Sequence, residues 1–398
     1  MEKKIIKNLC VISAGVLESD GENYYGKSAV INYLHEISQY FNRTYFVAQI
    51  IGKPNLFNSK INQNKVIPLE IKYNRNLKHF VSKISRLLKD QINLFKILDR
   101  NTAVMIFYPN SWAILMLPII WIKSGRYIAY LASDLDELIE MKRKEKGVKN
   151  TLKAFFYRMT QGVTFRSADV LLIRGRNTYE KIKKIRKKVF KSKPIISFTE
   201  KDIYQRNDTC QGKNIQLLYV GGLYRRKGVN VLLRAFSELV RENFIDKQII
   251  LKIVGMGEEY SKVKKLANEL NIKNYVEFLG HIDNDFQLAQ LYRKSDIFVL
   301  SSLLAEGFPR VLDEAMCFSL PIVVSDVAGI FKELKDQFCA IKVQPGDIKD
   351  LKKAIKRLIL NNNLRHKLIC NGRKRFIKVI DSGTVAKQHS DIVLCNLK

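Results

Sequence analysis

Glu306-Gly307-Phe308-Pro309-Arg310-Val311-Leu312-Asp313-Glu314-Ala315-Met316 lies between two short apolar runs, Asp296 to Leu300 and Pro321 to Ser325. The runs read as buried strands and the segment between them as a turn followed by a helix. Proline suits the first helical position, because the amide hydrogen it lacks would have no partner there. A helix starting at Pro309 turns unpaired N–H groups and the positive end of its dipole toward whatever lies beyond the strand ends, a setting that suits a diphosphate. Glu314 then lies about 7.5 Å along the axis and leans back toward that start. The bare spacing of the two glutamates, Glu306 and Glu314, is common in helix-rich chains; their context is what singles them out.

The segment, with Leu320-Pro-Ile-Val-Val-Ser-Asp-Val-Ala-Gly-Ile-Phe-Lys-Glu-Leu334 after it, resembles the donor-site signature of the family 4 retaining, nucleotide-sugar-dependent glycosyltransferases, also called group 1. The resemblance extends over most of the second half of the chain. It implies an α/β chain with the GT-B fold: two Rossmann-like, doubly wound domains facing a central cleft, with a C-terminal helix crossing back to the first. It also implies Glu306 beside the sugar, Glu314 at the ribose, and Gly307, Phe308, Pro309 and Arg310 around the donor. Upstream, Leu218-Tyr-Val-Gly221-Gly222-Leu-Tyr-Arg225-Arg226-Lys227-Gly228 leads from a strand into a helix. Members of the family usually carry an arginine directly after the first glycine and a lysine five positions later, both on the diphosphate. Lys227 matches the lysine, whereas Gly222 occupies the arginine position, leaving Arg225 or Arg226 to supply the second charge.

Gly255-Met-Gly257-Glu258 resembles the glycine loop after the next strand, and Val276-Glu-Phe-Leu279-Gly280-His281 the segment bordering the base. A tight turn explains the first equally well. Ser319 and Ala328 stand where glycine is more usual. Many relatives place a histidine after the strand equivalent to Tyr127–Leu131; here the chain reads Leu131-Ala-Ser133-Asp134. Either Ser133 or Asp134 faces the cleft in its place, Asp134 being the candidate catalytic residue, or Asp134 caps the next helix. The resemblance implies no cofactor and no metal, and the five histidines show no metal spacing.

A competing motif occurs early. Gly21-Glu-Asn-Tyr-Tyr-Gly26-Lys27-Ser28 matches the P-loop pattern of a nucleotide hydrolase. Glu18, Asp20 and Glu22 on its approach and the bulk of Tyr24 and Tyr25 argue against it. The alternative is a glycine turn opening the first helix, with Gly26 approaching the donor phosphates. A sugar-nucleotide epimerase of the same fold is a further reading.

The chain has 398 residues, enough for two α/β domains, and a formal net charge of +31, which attracts polyanions. Six scattered cysteines without CxxC spacing read as reduced thiols, in keeping with a cytoplasmic setting. The apolar part of the N-terminus is interrupted by Lys7 and Asn8, and the run Trp112–Ile122 is too short to span a bilayer. Strand and helix signals alternate throughout, predicting domains at 1–200 for the acceptor and 201–375 for the donor, a hinge between Ile196 and Asn214, and a helical return at 376–398. Apolar residues from Leu77 to Leu98 recur at helical intervals among lysines, and a second basic cluster spans Lys181 to Lys193. Both suit an anionic membrane surface carrying a lipid-linked or glycan acceptor, and either is also a solvated basic face. Nucleic acid is disfavoured, since no reading module accompanies the charge. The expected location is cytoplasmic, peripheral at the inner face of the membrane.

Overall fold

The structure, a computed structural model, describes residues 6–52, 59–71, 80–108, 110, 115–132, 139, 148–282, 285–304, 308–327, 330–334, 338–381 and 384–397. The chain divides into two compact units, one of Met1–Ile195 with Gly383–Lys398 and one of Ile196–Ser382. Cys10, Cys210, Cys317, Cys339, Cys370 and Cys395 are all free thiols.

In unit 1 the strands are β1 (Asn8–Ser19), β2 (Tyr24–Gly26), β3 (Arg43–Ile51), β4 (Ser59–Lys60), β5 (Val66–Ile71), β6 (Thr102–Tyr108), β7 (Tyr127–Leu131), β8 (Val170–Ile173) and β9 (Val189–Lys191). Seven form a parallel sheet in the order β5-β3-β1-β6-β7-β8-β9. Strand β1 shows why: Leu9 and Val11 enter one hydrophobic cluster and Cys10 and Ile12 another, so both faces are covered and the strand reads as one continuous apolar run.

The early glycine motif does not fold as a P-loop; it forms a hairpin strand that runs through Gly26 and the cap residue Lys27 into helix Ser28–Ile37. β2 pairs antiparallel with the end of β1, with Glu18 opposite Tyr25, and β4 pairs antiparallel with β2. Asp20 holds the hairpin turn, its carboxylate accepting from the N–H groups of Glu22 and Asn23. Gly26 is a buried strand residue, where an added Cβ would lie 2.8 Å from Leu17 Cδ2. The nucleotide-hydrolase reading therefore loses the loop it requires.

Helix Val385–Asn396 closes one face of unit 1. Its His389 is fully buried, with Nδ1 2.9 Å from the Tyr33 hydroxyl and Nε2 2.7 Å from Ser192 Oγ. Burial lowers the imidazole pKa to about 3, so the ring is neutral in the folded chain.

Unit 2 holds β10 (Asn214–Val220), β11 (Gln248–Val254), β12 (Val276–Gly280), β13 (Ile297–Leu300), β14 (Ile322–Ser325) and β15 (Ile341–Val343). They form an all-parallel sheet in the order β12-β11-β10-β13-β14-β15. This is the dinucleotide-fold order 3-2-1-4-5-6, and its direction of winding reverses between β10 and β13. The helix between β13 and β14 begins at Arg310, with Pro309 as an extended cap (φ −69°, ψ 129°), one residue later than the proline rule placed it. Helix Asn362–Asp381 packs on this helix and lies wholly in unit 2, so the return to unit 1 starts after the expected 376.

Within unit 2 the stretch from Ile196 to Asn214 is held by several side chains, among them Arg365 on Asp208 and, most extensively, Arg206. Arg206 donates to the carbonyls of Tyr292, Arg293, Ser295, Phe318 and Ser319 at 2.8–3.2 Å, gathering the negative ends of helices Asp285–Lys294 and Arg310–Cys317. Arg206→Ala leaves these acceptors unpaired and is expected to destabilise unit 2 by about 3 kcal/mol, read as a lower Tm by calorimetry. For His389 the folded pKa is depressed, so its contribution to stability is complete above the unfolded value near 6.5 and fades as pH falls toward 3. Going from pH 7 to pH 5 should cost about 2 kcal/mol through this residue. His389→Gln should flatten the dependence of Tm on pH over that range.

Candidate functional site

The carboxyl edge of the unit 2 sheet brings most of the expected donor residues onto neighbouring loops. Loop Gly221–Gly228 leaves β10, Gly255–Gly257 leaves β11, Gly280 ends β12, and Ser301–Leu303 leaves β13. These loops are stitched backbone to backbone. The N–H groups of Gly221, Leu223, Gly255 and Leu303 donate to the carbonyls of Val254, Met256, Gly280 and Arg226 at 3.0, 2.9, 2.6 and 2.7 Å.

Contacts this close tolerate only glycine. A Cβ on Gly255, at φ +137°, would sit 2.0 Å from the Gly221 carbonyl oxygen, and one on Gly228, at φ +63°, would sit 2.1 Å from that of Ser301. Ser301 Oγ also donates to Gly228 O at 3.0 Å. The start of helix Val229–Arg241 is thereby pinned to the chain leaving β13, at the point where winding reverses. No side chain caps that helix, whose cap residue is Gly228, or helix Arg310–Cys317, whose cap is Pro309. Two helix N-termini whose cap residues, Gly228 and Pro309, contribute no side-chain acceptor present amide donors and positive dipole ends at one sheet edge, a setting that suits an anion.

Charge is added by the turn Arg225–Lys227, three consecutive cations in a single 3-10 turn. A Cβ at Gly222 would lie 2.5 Å from Cε2 of Tyr224, so a side chain there would have to displace the exposed ring that covers the position. The Arg226 guanidinium stands over the same ring, 5.6 Å from its centroid. Arg225 is exposed and Lys227 half-buried, while Arg310 at the head of its helix is exposed.

Glu314 is buried, and its Oε2 accepts from the Tyr292 hydroxyl at 2.9 Å. Tyr292 itself is fully buried, stacked on Phe318 with ring centroids 5.3 Å apart. Burial, then the adjacent Glu314 charge, push the phenol pKa well above its usual value, so Tyr292 remains a donor. A carboxylate held in this way by one oxygen has a fixed orientation. Phe308, before the helix, lies under the Arg375 guanidinium at 4.9 Å.

Gly222, Arg225, Arg226, Lys227, Gly255, Phe308, Pro309, Arg310 and Glu314 thus belong to the loops and the helix that follow this edge; Leu279 is the exposed penultimate residue of β12. Gly26 belongs to the unit 1 hairpin and not to this group. Asp134, Glu306 and Gly307 lie outside the described residues. Sequence reasoning missed Tyr224, Tyr292 and Ser301. Tyr292 reads as one more apolar residue of an amphipathic helix, and nothing in its spacing points to Glu314.

Residues 200–375 match the family model described as "Glycosyl transferases group 1". A phosphatidyl-myo-inositol mannosyltransferase of Mycobacterium leprae is 32% identical over 163 residues, 41% of each chain. The first curated relatives the chain matches are spanned over only 41–48% of their own length. Among solved structures, WaaG, a glycosyltransferase involved in lipopolysaccharide biosynthesis, superposes with a TM-score of 0.70 at 16% identity, over 96% of this chain and 99% of its own. HepE of Anabaena, solved with UDP and glucose, superposes with a TM-score of 0.68 at 15% identity, over 97% and 98% of the two chains. The chain has the GT-B fold, and most of its second unit, residues 200–375, is similar to the group 1 glycosyltransferases.

Proposed function

We propose that the protein is a metal-independent, retaining hexosyltransferase that moves a sugar from a nucleotide diphosphate to a hydroxyl of a lipid-linked or polysaccharide acceptor. Its setting would be cell-envelope glycan synthesis in a bacterium, in the cytoplasm at an anionic membrane surface. The observation that carries this reading is the pairing of two helix N-termini, uncapped by side chains, with the Arg225–Lys227 turn on one edge of a group 1 domain. The reaction's main electrostatic demand is the negative charge that grows on the distal phosphate as the glycosidic bond breaks. Fixed cations and amide dipoles answer that demand without a divalent ion.

In this reading Lys227, with Arg225, Arg226, Arg310 and the helix-start amides after Gly228 and Pro309, holds the diphosphate. Glu314 takes the ribose hydroxyls through the carboxylate that Tyr292 orients, Leu279 and Gly255 border the base, and Glu306 and Asp134 serve the sugar. HepE, solved with UDP and glucose, supports a nucleotide-linked donor. The inositol-lipid mannosyltransferase and WaaG, by the acceptors and pathway their names state, support an envelope acceptor.

Calorimetric titration with UDP-, GDP-, ADP- and CMP-sugars in EDTA tests the reading. One donor should bind without metal, and a chain that binds none of them, or only in the presence of magnesium, is not this enzyme. Lys227→Ala should lower transfer roughly 100- to 1000-fold with Tm unchanged; wild-type turnover in that variant sinks the assignment. Tyr292→Phe removes the hydrogen bond to Glu314 and is expected to raise KM for the donor about tenfold while changing kcat little.

A further inference from the structure

Unit 1 carries a large apolar surface fringed by lysines. Helices Phe80–Ile97, Leu117–Lys123 and Val148–Ser167 pack on one face of its sheet, where Leu94, Leu98, Leu117, Ile120 and Val163 join a single cluster with Cys10 and Ile12. Their outward sides carry exposed apolar residues beside lysines and arginines. On the first helix Leu88, Ile92 and Phe95 are exposed, and at 3.6 residues per turn they fall within about 60° of one another, across the helix from buried Leu94. Trp121 is 50% exposed and Ile122 72%, and on the third helix Phe155 is 68% exposed.

The first two helices share one surface. Gln91 Nε2 donates to Leu115 O at 3.1 Å, and Lys123 Nζ lies 4.0 Å above the Phe95 ring. All three helices end toward the amino ends of β6, β7 and β8, and the turn before β9 lies at that same sheet edge. In this turn Ile185, 74% exposed, projects among the exposed Lys183, Lys184, Lys187 and Lys188. Arg186 ties the turn to the end of the third helix by donating to the carbonyls of Phe165 and Ala168. Glu180 pairs with Lys183 at 2.7 Å and leaves the other cations of the turn in excess.

Single exposed apolar residues are ordinary, but a run of aromatic and branched side chains across three adjacent helices is not. We propose that this face is where the protein docks on an anionic lipid leaflet, with Phe95, Trp121, Ile122 and Ile185 entering the acyl boundary. The proposal deepens the reading of an acceptor at a membrane and names the surface that reading needs. Tryptophan at the interface, apolar side chains below and lysines at phosphate depth are the arrangement that suits a leaflet. A second copy of the chain would bring the same lysines against their like, which opposes self-association through this face.

The test is co-sedimentation of the full chain with vesicles of phosphatidylglycerol and phosphatidylcholine, against phosphatidylcholine alone. Binding to the anionic vesicles is expected, weakening with salt. The Ile122→Glu, Ile185→Glu double variant should bind roughly tenfold or more weakly with Tm unchanged, since both side chains are exposed. Absence of binding by the wild type, binding indifferent to both substitutions, or a dimer that Ile122→Glu dissociates would each overturn the proposal. Lys227→Ala should sediment as the wild type does. Loss of vesicle binding with intact donor titration then counts against this surface alone, and the reverse outcome against the donor site alone.

Discussion

The constraint on which unit 2 depends is the contact between the backbone at Gly228 and the carbonyl of Ser301. Strands β10 and β13 lie side by side where the sheet reverses its winding, and the loops leaving them must part to opposite faces. A side chain at Gly228 would hold the two apart, because its Cβ would fall 2.1 Å from the Ser301 oxygen. With glycine there the loops close and exchange the hydrogen bond from Leu303 N–H to Arg226 O. The three cations of Arg225–Lys227 are consequently set by the chain after β13. The helix that begins at Arg310 issues from that same chain, so one glycine couples the charged turn to the helix.

The same logic extends to the carboxylate. Glu314 sits in the second turn of an eight-residue helix whose last carbonyls are gathered by Arg206, and its neighbour Tyr292 ends a helix gathered by the same guanidinium. The hydroxyl and the carboxylate thus meet on two helices registered against each other by a single cation. The polar pair is buried because it is satisfied internally, which is the condition for keeping a carboxylate in an apolar setting.

Much of this was legible in the amino-acid order, and the parts that were not share a cause. Parallel strands buried on both faces read as unbroken apolar runs, so β10, β11, β13 and β14 stand out by eye. The departure at Ser319 is also readable: it adopts φ +53°, a left-handed conformation that glycine takes at no cost, and it keeps a compensating hydrogen bond from its hydroxyl to Tyr204 O. What escaped was pairing across long separations. The stacking of Tyr224 over Gly222 is set by a turn, and the bond from Tyr292 to Glu314 by how two helices pack. The Gly21–Ser28 motif matches a phosphate loop only by its spacing, which suits a hairpin as well, and Tyr24 and Tyr25, which argue against a tight loop, have strand propensity.

The helix Val385–Asn396 completes the hydrophobic cluster of Leu9, Val11, Tyr33 and Leu34 with Ala386 and Val393. Those partners leave the ribosome on either side of unit 2. At typical elongation rates the whole of unit 2, Ile196–Ser382, takes on the order of 10–40 seconds to emerge, and for that time the nascent first unit has one greasy side uncovered. Helix Val385–Asn396 therefore acts as an intramolecular lid for a domain whose sheet is already built, and that apolar side needs protection from aggregation until the helix emerges.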